Sequence, residues 1–152
     1  VPSKWRSDGR ADRTRRALAL LAASLTAAWP ALAAELMVEV VGARSNAGRM
    51  HFGLYDDARK FPKKDGRAGG FETAIAGNRA VGVFRHLKPG RYAVAVFHDE
   101  NGNGTFDQGF FDFPLEDYGF SNDAAVFMSP PSFEDAAVSV PAEGIRITIR
   151  LR

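Results

Sequence analysis

Beyond residue 34 the chain is dominated by strict alternation of apolar and polar positions. Leu36, Val38 and Val40 share one face while Met37, Glu39 and Val41 take the other. Met50, Phe52 and Leu54 alternate in the same way with Arg49, His51, Gly53 and Tyr55. A period of two puts successive side chains on opposite sides of an extended backbone, so each run predicts a strand. Ser45-Asn46-Ala47-Gly48 between them has turn chemistry, and the two runs are expected to pair as a β-hairpin. Short strands are also expected near 71–76, 80–87, 136–140 and 145–151. In the last of these Ile145, Ile147, Ile149 and Leu151 face inward while Arg146, Thr148, Arg150 and Arg152 face out. Tyr92, Val94 and Val96 stand back to back with Ala93, Ala95 and Phe97. A strand apolar on both faces belongs at the centre of a sheet, covered on both sides.

The connections carry their own signals. Lys88-Pro89-Gly90 is a tight turn, with proline fixing φ and glycine supplying a positive one. Residues 57–70 form a polar loop whose large apolar anchor is Phe61, and residues 107–132 form a long irregular stretch rich in phenylalanine and tyrosine. No segment shows the 3.6-residue period of an ordinary helix, although one turn is expected near 114–118. About seven short strands separated by turns predict an all-β chain folded as a single immunoglobulin-like antiparallel sandwich.

The first 33 residues follow different rules. Arg10, Arg13, Arg15 and Arg16 precede the apolar run 17–25, which ends in Trp29-Pro30-Ala31-Leu32-Ala33. A basic start, a short apolar middle and small residues at an A-x-A site describe a secretory signal peptide, expected to be cut after Ala33. The alternative, an uncleaved anchor, is disfavoured because the run is short of the ~20 residues a span needs and Pro30 interrupts it. The expected organisation is therefore a leader over 1–33 and a sandwich domain over 34–152, without a membrane span in the mature chain. Export to the periplasm or beyond is the expected location.

The leader also distorts the charge balance. It holds six of the 20 Lys/Arg and two of the 18 Asp/Glu, so the remainder carries 14 basic against 16 acidic side chains. A mildly acidic domain makes nucleic acid a poor partner. The remaining charge is segregated: residues 59–91 hold nine Lys/Arg against Asp65 and Glu72, and residues 92–145 hold ten Asp/Glu with neither Lys nor Arg. Such an acidic block is relieved by solvent, by basic neighbours in the fold or by a bound cation. Cysteine is absent, so stability rests on packing rather than disulfides.

The acidic block opens with His98-Asp99-Glu100-Asn101-Gly102-Asn103-Gly104-Thr105-Phe106-Asp107. Oxygen-bearing side chains at alternate positions followed by glycine match the first part of a D-x-[DN]-x-[DN]-G calcium loop. A hard cation takes six to eight oxygens at ~2.3–2.6 Å, which alternate residues can supply if glycine allows the chain to turn sharply. Asp99, Asn101, Asn103, the Thr105 carbonyl and Asp107 are the candidate ligands. Phe110 stands where a helix–loop–helix hand would place its bidentate glutamate, so the last ligand is sought further on, first at Asp112, then at Glu116 or Asp117. The competing reading is an Asn-Gly turn whose side chains cap their own backbone.

Two longer motifs carry a resemblance. Phe84, Leu87, Pro89, Gly90, Tyr92, Val94 and Val96 are spaced as in the closing hairpin of prealbumin-like and collagen-adhesin B-type sandwich modules. The run 95–104, then Tyr118-Gly119-Phe120-Ser121-Asn122 and Pro130-Pro131-Ser132-Phe133-Glu134-Asp135-Ala136, resemble a family of small exported bacterial proteins known as domain of unknown function 2141. The resemblance spans the mature chain. It implies export and one prealbumin-like β-sandwich, and brings no catalytic residues with it.

The leading expectation is a non-catalytic exported sandwich whose acidic loop binds calcium and orders residues 107–132 into a surface for an envelope protein or glycan. The alternative is a carbohydrate- or peptide-binding module that uses the aromatic loop, with Tyr118, Phe120 and Asn122 as ligand contacts and the acidic loop only a turn. A cell-envelope hydrolase built on carboxylates around His98 ranks third. His98 lies on the face of Val94 and Val96, where a hydrogen-bonded structural histidine is the plainer expectation.

Overall fold

In the computed structural model, which describes residues 33–110 and 113–152, eight strands form two packed sheets. They are β1 (Ala34–Val41), β2 (Arg49–Tyr55), β3 (Gly69–Thr73), β4 (Arg79–Leu87), β5 (Gly90–Asp99), β6 (Tyr118–Phe120), β7 (Val138–Val140) and β8 (Ile145–Arg150). One sheet has the order β4-β1-β8 and the other β3-β2-β5-β6, with β7 pairing the opposite end of β5 from β6. The expected all-β sandwich is thus present. All pairings are antiparallel except β1 with β8, which run parallel. The expected leader falls outside the described residues.

The core lies between the sheets and follows the alternation. Leu36, Val38 and Val40 of β1 meet Met50, Phe52 and Leu54 of β2 and Val94 and Val96 of β5, all buried. Of the four isoleucine and leucine positions expected inward at the C-terminal end, only Ile149 is fully buried. Ile145 sits at the strand's open end and is 37% exposed.

Two expected hairpins are not hairpins. β1 pairs β4 and β8 whereas β2 pairs β3 and β5, so the 42–48 turn carries the chain from one sheet to the other. The Lys88-Pro89-Gly90 turn does the same between β4 and β5. Both turns join strands whose apolar faces oppose each other across the core, which favours sheet crossing over side-by-side pairing. Among the described residues the one α-helix is a single turn, α1 (Phe133–Ala136), capped by Ser132 accepting from the Asp135 N–H. The segment 114–118, near which one helical turn was expected, instead runs into β6, which begins at Tyr118.

β5 is central, as its two apolar faces require. Its outer face is covered by a second cluster in which Phe61 meets Tyr55, Phe120 and Phe133 edge-on. Phe61 therefore anchors the polar loop as its isolation implied. Among the described residues no helix is long and apolar enough to cross a membrane.

Candidate functional site

The acidic loop begins where β5 ends, and Asp99 builds it. This side chain is only 2% exposed. Its Oδ1 accepts from the N–H groups of Gly102 (2.7 Å) and Asn103 (3.1 Å), and its Oδ2 accepts from Gly104 N–H (2.8 Å) and from Nε2 of His51 (3.2 Å). Four donors fill the four lone-pair positions of a carboxylate. Burial pushes the Asp99 carboxyl up, but the three backbone N–H groups and His51 together hold it below its ordinary value. Gly48, at φ +66°, packs against the same turn, where a Cβ would lie 1.8 Å from the Asp99 carbonyl oxygen.

The rest of the loop is bonded to itself. Asn101 accepts from Asn103 N–H (3.0 Å), and Asn103 accepts from the N–H (2.8 Å) and hydroxyl (2.7 Å) of Thr105. The amide NH2 groups of Asn101 (2.6 Å) and Asn103 (2.9 and 3.0 Å) both donate to the Asp107 carboxylate. Asn101, Asn103, Thr105 and Asp107 are therefore brought together, with the amide nitrogens rather than the oxygens facing Asp107. Among the described residues no three His, Asp or Glu side chains converge as a metal-holding group. Asp112 lies outside the described residues.

Glu116 takes the place behind Asp107. It is 8% exposed, its Oε2 accepts from Asp107 N–H (3.1 Å), and its Oε1 is buried without a hydrogen-bond partner. Burial pushes its carboxyl above the ordinary glutamate value. The N–H groups of Asp107 and Glu100 pull it back, while the charges of Asp107 and Asp99 push the same way as burial. Asp117 is engaged elsewhere, accepting from Arg44 at 2.7 Å.

Two of the three histidines, His98 and His51, are structural partners. His98 is buried and its Nε2 donates to the Ala47 carbonyl at 2.8 Å. His51, which had no evident partner in the sequence, reaches Asp99 and Glu72 (3.3 Å) and stacks on Phe97 at 4.5 Å. The acidic block is relieved chiefly from outside the basic stretch: Arg44 meets Asp117, Arg150 meets Asp123 and His51 meets Asp99, while Arg91–Glu134 links the two segments.

The Tyr118-Gly119-Phe120-Ser121-Asn122 motif divides into two functions. Gly119 faces the other sheet, where a Cβ would come within 2.6 Å of Ile149 Cγ2 and 2.8 Å of the Arg150 carbonyl. Ser121 is buried, accepting from Val94 N–H (2.8 Å) and donating to the Ala136 carbonyl (2.5 Å). Asn122, at φ +61°, donates to the Asp135 carbonyl at 2.8 Å and takes no part in the groove below. Tyr118 and Phe120 are half-buried on the outer face of the sheet.

There they wall a groove of about 500 Å³. Ala95 of β5 lies at its floor, Phe97, Phe106, Tyr118 and Phe120 supply aromatic sides, and Arg67 and Lys64 stand among the lining residues. Phe106 belongs to the acidic loop and is fixed by ring contacts with Phe97 (5.5 Å) and Tyr118 (5.8 Å). The loop is thus one wall of the groove. The volume falls within the ~300–1,000 Å³ typical of ligand clefts. Other aromatics of the stretch do not pack: Phe110 is 93% exposed and Phe127 84%.

A family model described as an uncharacterized protein conserved in bacteria (DUF2141) matches residues 38–148. The chain belongs to this family. No curated protein and no solved structure matches it. The DUF2141 match runs from β1 into β8, so it covers both the acidic loop and the groove. Within this DUF2141 domain Tyr118 and Phe120, which the sequence singled out, line the groove together with Arg67, Lys64, Ala95 and Phe106, which it did not connect with it. The sequence offered only a basic loop short of acids and two alanines, Ala93 and Ala95, on one face of the central strand.

Proposed function

We propose that this DUF2141 chain is an exported, non-catalytic binding module that takes a ring-bearing ligand, of carbohydrate or peptide type, in the groove over β5 and β6. The observation that carries the reading is the groove itself: a small-residue floor between Phe97, Phe106, Tyr118 and Phe120. Flat apolar walls around a shallow floor suit a sugar face or an aromatic side chain, and the aromatic edges orient it. A binding role rather than a catalytic one is supported by the use already made of the titratable groups, since Asp99, His51 and His98 are all bonded within the fold. Export rests on the leader pattern, and an envelope protein or glycan is the partner this location offers.

The test is a titration of the ¹⁵N-labelled protein with a disaccharide, a tyrosine-containing peptide and indole. Amide shifts concentrated at Ala95, Phe106, Tyr118 and Phe120 are expected with at least one of them. Titrations that leave these amides unmoved at millimolar ligand would reject the groove as the site.

Calcium binding by the loop is a second reading, favoured by Glu116. A buried carboxylate oxygen without a partner, beside the charges of Asp107 and Asp99, is relieved by a cation or a proton. Asp107, Glu116, the amide oxygens of Asn101 and Asn103 and the Thr105 carbonyl would supply the ligands after the amides turn over. Asp99 would keep its role as the turn's internal acceptor. Melting curves in calcium and in chelator are expected to separate, and coincident curves at millimolar calcium remove this reading.

A further inference from the structure

We infer that the ligand of this groove is an organic anion, its ring held between the aromatic walls and its acidic head on Arg67 and Lys64. The inference rests on the groove reading above and adds the charge of the occupant. Arg67 carries the argument. Arg44, Arg49, Arg59, Arg79, Arg85, Arg91 and Arg150 each meet a carboxylate. Arg67 makes neither an ion pair nor a hydrogen bond among the described residues, and its Nε is buried without a partner.

Its position is nonetheless built. Gly53 of β2 and Gly70 of β3 stand opposite each other in register, leaving a bare strip on the outer face of the sheet. The Arg67 side chain lies across that strip. A Cβ at Gly53 would come 3.0 Å from Arg67 Nε, and one at Gly70 would lie 3.6 Å from its Cδ and 3.9 Å from Nη1. Two glycines thus seat a guanidinium beside an aromatic groove without supplying an acceptor for it. A planar guanidinium with open N–H groups matches a carboxylate, sulfonate or phosphate in paired geometry.

The rest of the lining agrees. Lys64 adds a second cation, and no carboxylate lines the groove among the described residues. Asp65, next to Lys64 in the chain, is not in the lining. In a domain whose acids outnumber its bases, two unpaired cations at one end of an acid-free groove favour a negatively charged occupant.

The experiment compares naphthalene-2-sulfonate, neutral 2-naphthalenemethanol and cationic 2-naphthylmethylammonium by calorimetry. The same titrations are run on Arg67→Met, Lys64→Gln and Ala95→Leu, each checked by circular dichroism for an intact fold. The sulfonate is expected to bind about tenfold more tightly than the alcohol, and the ammonium most weakly. Arg67→Met is expected to remove that preference, so that sulfonate and alcohol bind about equally. Lys64→Gln, at an exposed position, is expected to reduce the preference if Arg67→Met does not fold. Ala95→Leu raises the floor and is expected to weaken all binding. Equal binding of sulfonate and alcohol overturns the anion inference and leaves the groove reading standing. Absence of binding by all three probes overturns the anion inference, and the groove reading is then decided by the disaccharide, peptide and indole titrations. A sulfonate signal that survives Ala95→Leu comes from elsewhere, such as exposed Phe127 and Met128, and also overturns the inference.

Discussion

Two carboxylates of the same loop titrate in opposite directions, and their surroundings explain why. Asp99 is held down by donors that outweigh its burial, so its stabilisation is present above the ordinary aspartate value of 3.8 and is lost as pH falls through its lower folded value. Glu116 is pushed above 4.5 by burial and by neighbouring charge. Its folded form therefore binds a proton more readily than the unfolded chain, and its cost is lifted as pH falls toward 4.5. Glu116→Gln is expected to melt higher than the native protein at neutral pH without calcium, with the gap closing on acidification toward pH 4.5. Asp99→Asn is expected to cost about 2–3 kcal/mol, because the new amide cannot accept from Gly104 N–H and His51. Its deficit should persist down to about pH 3.8 and shrink only below it. Melting points of the three proteins across pH 3–8 check both signs, and parallel curves would count against the assigned causes.

At the scale of elements, the motif joining β6 to α1 acts as a clasp. Ser121 spans Val94 on β5 and Ala136 at the end of α1, while Gly119 lets β6 lie against β8. Ser121→Ala orphans the buried Val94 N–H and is expected to cost about 1–3 kcal/mol. Denaturant unfolding measures it, and a loss below a few tenths would mean the hydroxyl is replaceable. Alternation predicted the strands because a half-buried strand leaves one polar face in the sequence. It did not predict partners, because facing the core is compatible with either sheet. Leu36 and Met50 point inward whether β1 and β2 pair or cross, so the assumed hairpin was open to error. β6 was hidden for a simpler reason: three residues, Tyr118 to Phe120, show too little alternation to register. Tyr118 and Phe120 could still be singled out, since exposed aromatic rings offer a face on which a ligand can stack.

For the molecule as a whole, the acidic loop and the aromatic groove are one construction. The bonds of Asp99 and Asn103 hold residues 102–105 in place, and Phe106 then meets Phe97 and Tyr118 as a wall. The sequence showed the loop and the aromatics as neighbours, but their joint surface depends on Arg67 and Gly53, which reach the same face from the β2–β3 half of the sheet. Distance along the chain hid that half of the site. A loop that serves as a wall passes its own order on to the ligand, because ordering entropy lost at binding is smaller when the wall is already fixed. Asp99→Asn therefore has a second consequence, at a residue that does not line the groove. It is expected to speed amide exchange at residues 102–106 and to weaken naphthalene-2-sulfonate binding about threefold to tenfold. Calorimetry paired with hydrogen exchange on the same sample checks this. Faster exchange with unchanged affinity would mean that Phe106 is held by its ring neighbours alone, and that the loop and the groove are separate devices.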